Sequence, residues 1–251
     1  MRIALLADIH GNTIALDAVL ADIAEEGGAD GYWILGDLAA IGPDPVGVLE
    51  RLSTLKGLRV IRGNTDRYVV SGDRPGPSIA AVQADATLFG PLLQVANTFA
   101  WTQGMVTAAG WLPWLKELPL DFEMVLPDGT RFLGVHASPG TDDGTGISPA
   151  SSNAEIEALF SGCGAGLVCV GHTHLPLDRR LGQMHLVNPG SVGLSRTPDL
   201  HACYAFLDAD NDGYRVTHRR VDFDRQAVID QLNELLHPAR EFIIHHLTHA
   251  L

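Results

Sequence analysis

Residues 2–23 read RIALLADIHGNTIALDAVLADI, and the organisation of the rest of the chain follows from this stretch. Ile3–Ala7 is a strand-sized apolar run. Beyond DIHGN, Leu16, Val19, Leu20 and Ile23 recur at helical spacing, with Asn12 or Thr13 placed to cap that helix. Two further runs, Tyr32–Leu35 and Leu58–Arg62, are separated by another helical pattern. Such alternation argues for βαβ units.

From Arg67 to about Lys116 the strand signals give way to Ala- and Leu-rich helical patterns headed by SGDRPGP (71–77). Residues 67–117 therefore read as a helical insertion or cap on a single domain spanning 1–251. Strand-like runs return at Phe122–Leu126, Arg131–Val135, Leu167–Val170, Leu186–Val187, Ala202–Asp208 and Tyr214–Arg219. Two helices close the chain, at about 224–236 and 238–250. Two blocks of strands with helices outside them predict an α/β sandwich of two sheets flanked by helices.

Composition narrows the function. With 251 residues, 46% of them hydrophobic, the chain can bury a sizeable core. No apolar run reaches membrane-spanning length and no secretory leader is read, so a cytoplasmic protein is expected, with no membrane partner. Thirty acids against 17 basic residues give a net charge of −13, which argues against nucleic acid as a partner. Cys163, Cys169 and Cys203 are odd in number and lack CxxC spacing, so they read as buried or reduced thiols.

Each suspicious polar cluster follows directly on an apolar run: Asp8-Ile9-His10, Gly36-Asp37, Gly63-Asn64-Thr65-Asp66, His136, and Gly171-His172-Thr173-His174. Ligands of α/β sheets bind beyond the carboxyl ends of strands, so these five points can converge on one crevice. In Asp-x-His and His-x-His both side chains project to one side of an extended backbone. Two carboxylates, an amide oxygen and four imidazoles suit a pair of divalent transition ions (Mn, Fe, Zn or Ni) rather than Ca or Mg. Singly, each residue reads as a strand-end cap; jointly they read as a metal site. Two such ions, less the charge of Asp8, Asp37 and a bridging hydroxide, leave a net positive potential for a phosphate ester.

The ordered set DIHGN, GDLAAIGPDP, GNTD, His136, GHTH and NPGSVG (188–193) resembles the calcineurin-like metallophosphoesterases, most closely their small bacterial and archaeal branch with its phosphodiesterases. The resemblance implies a four-layer α/β/β/α fold. It also implies that Asp8, His10 and His174 hold one metal, Asn64, His136 and His172 a second, and Asp37 bridges both. Attack then comes from the bridging hydroxide, with Asp37, Asn64 and His136 acting through it. The substrate expected is a small phosphate ester, phosphodiester or nucleotide-like. A phosphomonoesterase or protein phosphatase, or a catalytically weak scaffold of the same fold, is the alternative. One departure stands out: family members often carry His after the Asn of GN, where this chain has Thr65. A hydroxyl is a poor acid at neutral pH, so monoesters with poor leaving groups are disfavoured.

Around these ligands, Asn12 is a candidate phosphate contact at the first helix N-terminus as well as a cap. Asp66 reads as a local turn or cap, and Gly190-Ser191 as a demanding turn. Arg67 is a candidate substrate contact, as is Arg74, against the plain reading of surface arginine. Trp101, Trp111 and Trp114 read as packing of the insertion before an aromatic wall. His237, His245, His246 and His249 read as exposed helix residues, with Ile243, Leu247 and Leu251 as the packing face.

Overall fold

The computed structural model describes residues 1–249. The chain runs β1 (Arg2–Leu6), α1 (Thr13–Glu25), β2 (Gly31–Ile34), α2 (Pro45–Ser53) and β3 (Leu58–Val60). It continues with α3 (Asn64–Ser71), α4 (Ile79–Ala84), α5 (Phe89–Ala108), α6 (Leu112–Lys116), β4 (Asp121–Val125) and β5 (Arg131–Val135). Then come α7 (Asn153–Leu159), β6 (Leu167–Cys169), β7 (Leu177–Leu181) and β8 (Met184–Asn188). The last elements are β9 (Ala202–Asp210), β10 (Gly213–Val221), α8 (Arg225–Glu234) and α9 (Arg240–Thr248). The strands form two five-stranded sheets, ordered β10-β9-β1-β2-β3 and β4-β5-β6-β8-β7.

The opening stretch explains the layering. In β1 the side chains alternate between faces. Ile3, Leu5 and Ala7 pack with Trp33, Phe132, Leu167 and Val187 between the sheets. Ala4 and Leu6 face outward onto Leu16, Val19, Val48 and Leu52 of α1 and α2. On the far side, Leu133, Val135 and Val168 of the second sheet pack against Ile156 and Phe160 at α7. Layers therefore succeed one another as α/β/β/α. A strand buried on both faces has to be apolar throughout, which is why Ile3–Ala7 lacks alternation. β1 pairs parallel with β2, Ile3 opposite Gly31, and antiparallel with β9, Ile3 opposite Leu207.

Within residues 67–117 lie most of α3 and all of α4, α5 and α6, and the buried side chains Tyr68, Val69, Phe99, Val106 and Leu115 join the cluster that holds α1, α2, α8 and α9. Two elements escape the sequence reading. β7 (LDRRL) is an edge strand with charged residues at its centre. α7 carries a capping box in which Ser152 Oγ accepts from Glu155 N while Glu155 accepts from Ser152 N. The final helix runs to Thr248; residue 250 and Leu251 lie outside the described residues. Among the described residues no helix is long and apolar enough to cross a membrane.

Candidate metal centre

All seven expected ligands sit where strands end: Asp8 and His10 after β1, Asp37 after β2, Asn64 at the start of α3, His136 after β5, and His172 and His174 after β6. Five of them have positive φ: Asp8 +54°, His10 +49°, Asp37 +57°, His172 +69° and His174 +61°. Non-glycine residues seldom occupy this region, each costs roughly 1–3 kcal/mol, and such strain clusters at functional sites.

A lattice of backbone bonds holds the strained loops. Asp8 N–H donates to Gly36 O (3.1 Å), His10 N–H to Asp37 O (3.0 Å) and Gly171 N–H to His136 O (2.9 Å). The Asp8 carbonyl accepts from Gly193 N (3.0 Å) and Ser191 Oγ (2.7 Å). Gly190, at φ +83°, turns this NPGSVG loop back; a Cβ there would come within 2.6 Å of Cys203 Cβ. At Gly63 the constraint is close approach, because a Cβ would fall 2.0 Å from Asp37 Oδ1. Asp66 accepts from Gly63 N (2.8 Å), Asp37 N (2.9 Å) and Leu38 N (3.0 Å), so one buried carboxyl fixes both turns. Burial, followed by the Asp37 charge, pushes that carboxyl up to about 7.

The side chains converge in two sets. Ligand atoms of Asp8, His10, Asp37 and His174 all lie within 4.8 Å of one another. On the other side of Asp37, Asn64 Oδ1 lies 3.0 Å from both His136 Nε2 and His172 Nδ1. Asp37 faces both sets: Oδ2 is 3.6 Å from His10 Nε2 and Oδ1 is 3.5 Å from His136 Nε2.

The imidazoles are oriented from behind. The Nδ1 atoms of His10, His136 and His174 donate to Ala40 O (3.2 Å), Leu35 O (2.6 Å) and Leu194 O (2.8 Å), and His172 Nε2 donates to Gly144 O (2.9 Å). A carbonyl only accepts, so each ring carries its proton on the rear nitrogen and turns the other, as a bare lone pair when neutral, to the centre. His10 Nε2 and His174 Nε2 then face each other at 3.1 Å. Two lone pairs at that distance repel unless a cation lies between them. Burial holds His10 and His174 below the ordinary imidazole range, which favours this neutral form. His136 differs: burial lowers it, but the charges of Asp37 and Asp8 outweigh burial and carry it up to about 10. Asp8 is fully buried, and burial raises its carboxyl well above the ordinary range. Among the described residues the ion pairs of Asp8 and Asp37 involve only histidine. Buried carboxylates without lysine or arginine, together with opposed imidazole lone pairs, are a donor set that fits divalent cations.

A sequence model of the calcineurin-like phosphoesterase superfamily domain matches residues 1–212. The chain belongs to that superfamily. It is a metal-dependent phosphoesterase with a divalent metal cofactor. A metallophosphoesterase from Sphaerobacter thermophilus is similar at 28% identity, covering 98% of each chain with a TM-score of 0.75. A hypothetical protein from Pyrococcus horikoshii shares the fold at 24% identity and a TM-score of 0.81, over 100% of this chain and 98% of its own. A symmetrical bis(5'-nucleosyl)-tetraphosphatase from Shigella dysenteriae is 30% identical over 139 residues, 49% of either chain.

Other expected residues of the phosphoesterase have different surroundings. Asn12 caps α1, its Oδ1 accepting from Ala15 N (3.0 Å) and its Nδ2 donating to Gly193 O (3.2 Å). Arg67 is bound by carboxylates, with Nε 2.9 Å from Asp142 and Nη2 2.8 Å from Asp143. Arg74 donates to Tyr68 O (2.8 Å). Trp111 and Trp114 pack against the outer core, 5.7 Å between ring centroids. His237 is not exposed as expected: it is 1% accessible, because Leu236 turns at φ +48° and drives the ring inward against Trp101. His246 is half-buried and lines the cavity that opens from the cluster, and His245 and His249 are exposed.

A cavity of about 290 Å³ opens from the cluster. Its lining includes Thr65, Tyr68, Phe99, Arg196 and Phe242. Phe99, Arg196 and Phe242 have no role assigned from the sequence, because none of them belongs to a ligand motif.

Proposed function

We propose that the chain hydrolyses phosphodiesters or nucleotide-like esters at a pair of divalent transition ions, Mn, Fe, Zn or Ni, shared through Asp37. The observation that carries this reading is the division of the Asp37 oxygens between two donor sets. Asp8, His10 and His174 would hold one ion, and Asn64, His136 and His172 the other. Ions so placed supply Lewis acidity and acidify bound water. The chain's own part is to hold that geometry. Rear carbonyls fix the imidazole tautomers, and Asp66 fixes the Asp37 turn.

Thr65 decides the substrate lean. No imidazole stands after Asn64 to protonate a departing oxygen, so turnover depends on the acidity of the leaving group. A diester leaving as an aryl or nucleoside oxyanion suits this site better than an alkyl monoester. The tetraphosphatase similarity, which spans half the chain, supports the nucleotide-like lean. The helices of 67–117 are a cap that belongs to the same domain and shapes the cavity, since Phe99 lies on α5.

Purified protein loaded with Mn is assayed against a matched aryl diester and aryl monoester, each with leaving groups of graded pKa. Diester preference and a steep leaving-group dependence are expected. Thr65→His flattens that dependence and raises monoesterase activity, by up to the ~10²-fold low end of acid–base catalysis. Monoester preference, or indifference to the leaving group while chemistry is rate-limiting, contradicts the diesterase reading.

A further inference from the structure

Away from the metal ligands, the cavity is built from residues the chemistry above does not use. Its wall is apolar: Ile41 follows β2, Val95 and Phe99 come from α5, and Phe242 comes from α9. Phe242 is 43% exposed, a high value for a phenyl ring turned toward a site. Thr65, Tyr68, Gln94, Thr98, Arg196 and His246 interrupt the wall, and of these Thr65 and Arg196 stand out. Thr65 is 5% exposed, and its hydroxyl is buried without a hydrogen-bond partner among the described residues. Its own N–H is bound to Asp37 Oδ1 (2.9 Å), which sets the side chain beside the shared carboxylate. Arg196 is exposed at the cavity and takes no part in the carboxylate network that binds Arg62 and Arg67 to Asp142.

A buried hydroxyl without a partner costs stability, and ligand sites commonly combine an apolar wall with a few such convergent polar groups. Resting on the phosphoesterase reading, we infer that this cavity is a substrate subsite for esters bearing one apolar ring. Thr65 Oγ donates to a phosphoryl oxygen, Arg196 pairs with the anionic charge from the cavity side, and the ring lies against Phe242 and Phe99. A volume of about 290 Å³ is at the small end of ligand pockets and accommodates one ring system with its phosphate.

Isothermal titration of the Mn-loaded protein with phenylphosphonate and methylphosphonate tests the subsite without turnover. Phenylphosphonate is expected to bind at least about tenfold more tightly, in line with what an apolar pocket discriminates. Phe242→Ala, at a partly exposed position, brings the ratio close to one. Thr65→Val weakens both ligands by about tenfold and Thr65→Ser restores them, while metal content stays constant. Arg196→Gln weakens both in the same way. Equal binding of the two phosphonates by the wild type, or a ratio that survives Phe242→Ala, overturns the subsite. Hydrolysis of aryl esters without a phenyl preference removes the subsite and leaves the phosphoesterase reading standing. A phenyl preference in a protein inert toward every ester does the reverse.

Discussion

Asp37 concentrates the logic of the site in one carboxylate. Its backbone is strained at φ +57°, its N–H is held by Asp66, and its two oxygens face different donor sets. Asp37→Asn should therefore lower the occupancy of both ions and cut turnover by orders of magnitude. Elemental analysis of dialysed protein beside an aryl-ester assay checks this; full metal content at a near-normal rate contradicts it. The ligand positions are legible in the sequence because each follows an apolar run and brings an unusual donor type. The five positive φ angles are not legible, since Asp and His enter that region only occasionally and their identity alone does not mark where they do. Arg196 and Phe242 escape for another reason: neither belongs to a spaced motif, and only folding brings α9, which carries Phe242, to the cavity.

At the scale of elements, α5 and α9 meet at His237. The ring lies edge-on to Trp101, 4.4 Å between centroids, its Nδ1 accepts from Ala239 N (3.1 Å), and burial holds it down at about 4. An unfolded histidine titrates near 6.5. Between these values the unfolded chain binds the extra proton, so stability rises with pH there. The contribution is fully present above pH 6.5 and is lost as pH falls to about 4. His237→Phe leaves Ala239 N–H without its acceptor and should cost about 1–3 kcal/mol at pH 7. The gap to wild type should then close by pH 4.5, as read from thermal unfolding at each pH. A gap independent of pH would show that His237 does not titrate through folding. Element reading from sequence follows the same division. α1 is plain because one-sided burial imposes a helical period and β1 because burial on both faces makes it an unbroken apolar run, whereas β7 is hidden because an edge strand tolerates the charged centre of LDRRL. The inward turn at Leu236, which buries His237, has no periodic signature at all.

Across the whole molecule, a sandwich of two sheets brings the ends of β1 and β2 from one sheet against those of β5 and β6 from the other. Neither sheet supplies a complete donor set: His174 joins Asp8 and His10 across the interface, and Asn64 joins His136 and His172. The centre is thus a property of the packed layers, and Asp37 lies on the seam between them. Anomalous diffraction from crystals grown with Mn tests this most directly. Two peaks about 3.5–4 Å apart, the spacing of two-metal sites, should flank the Asp37 carboxylate, one beside His10 and His174 and the other beside Asn64 and His136. A single peak, or two that do not share Asp37, would contradict the bridged pair.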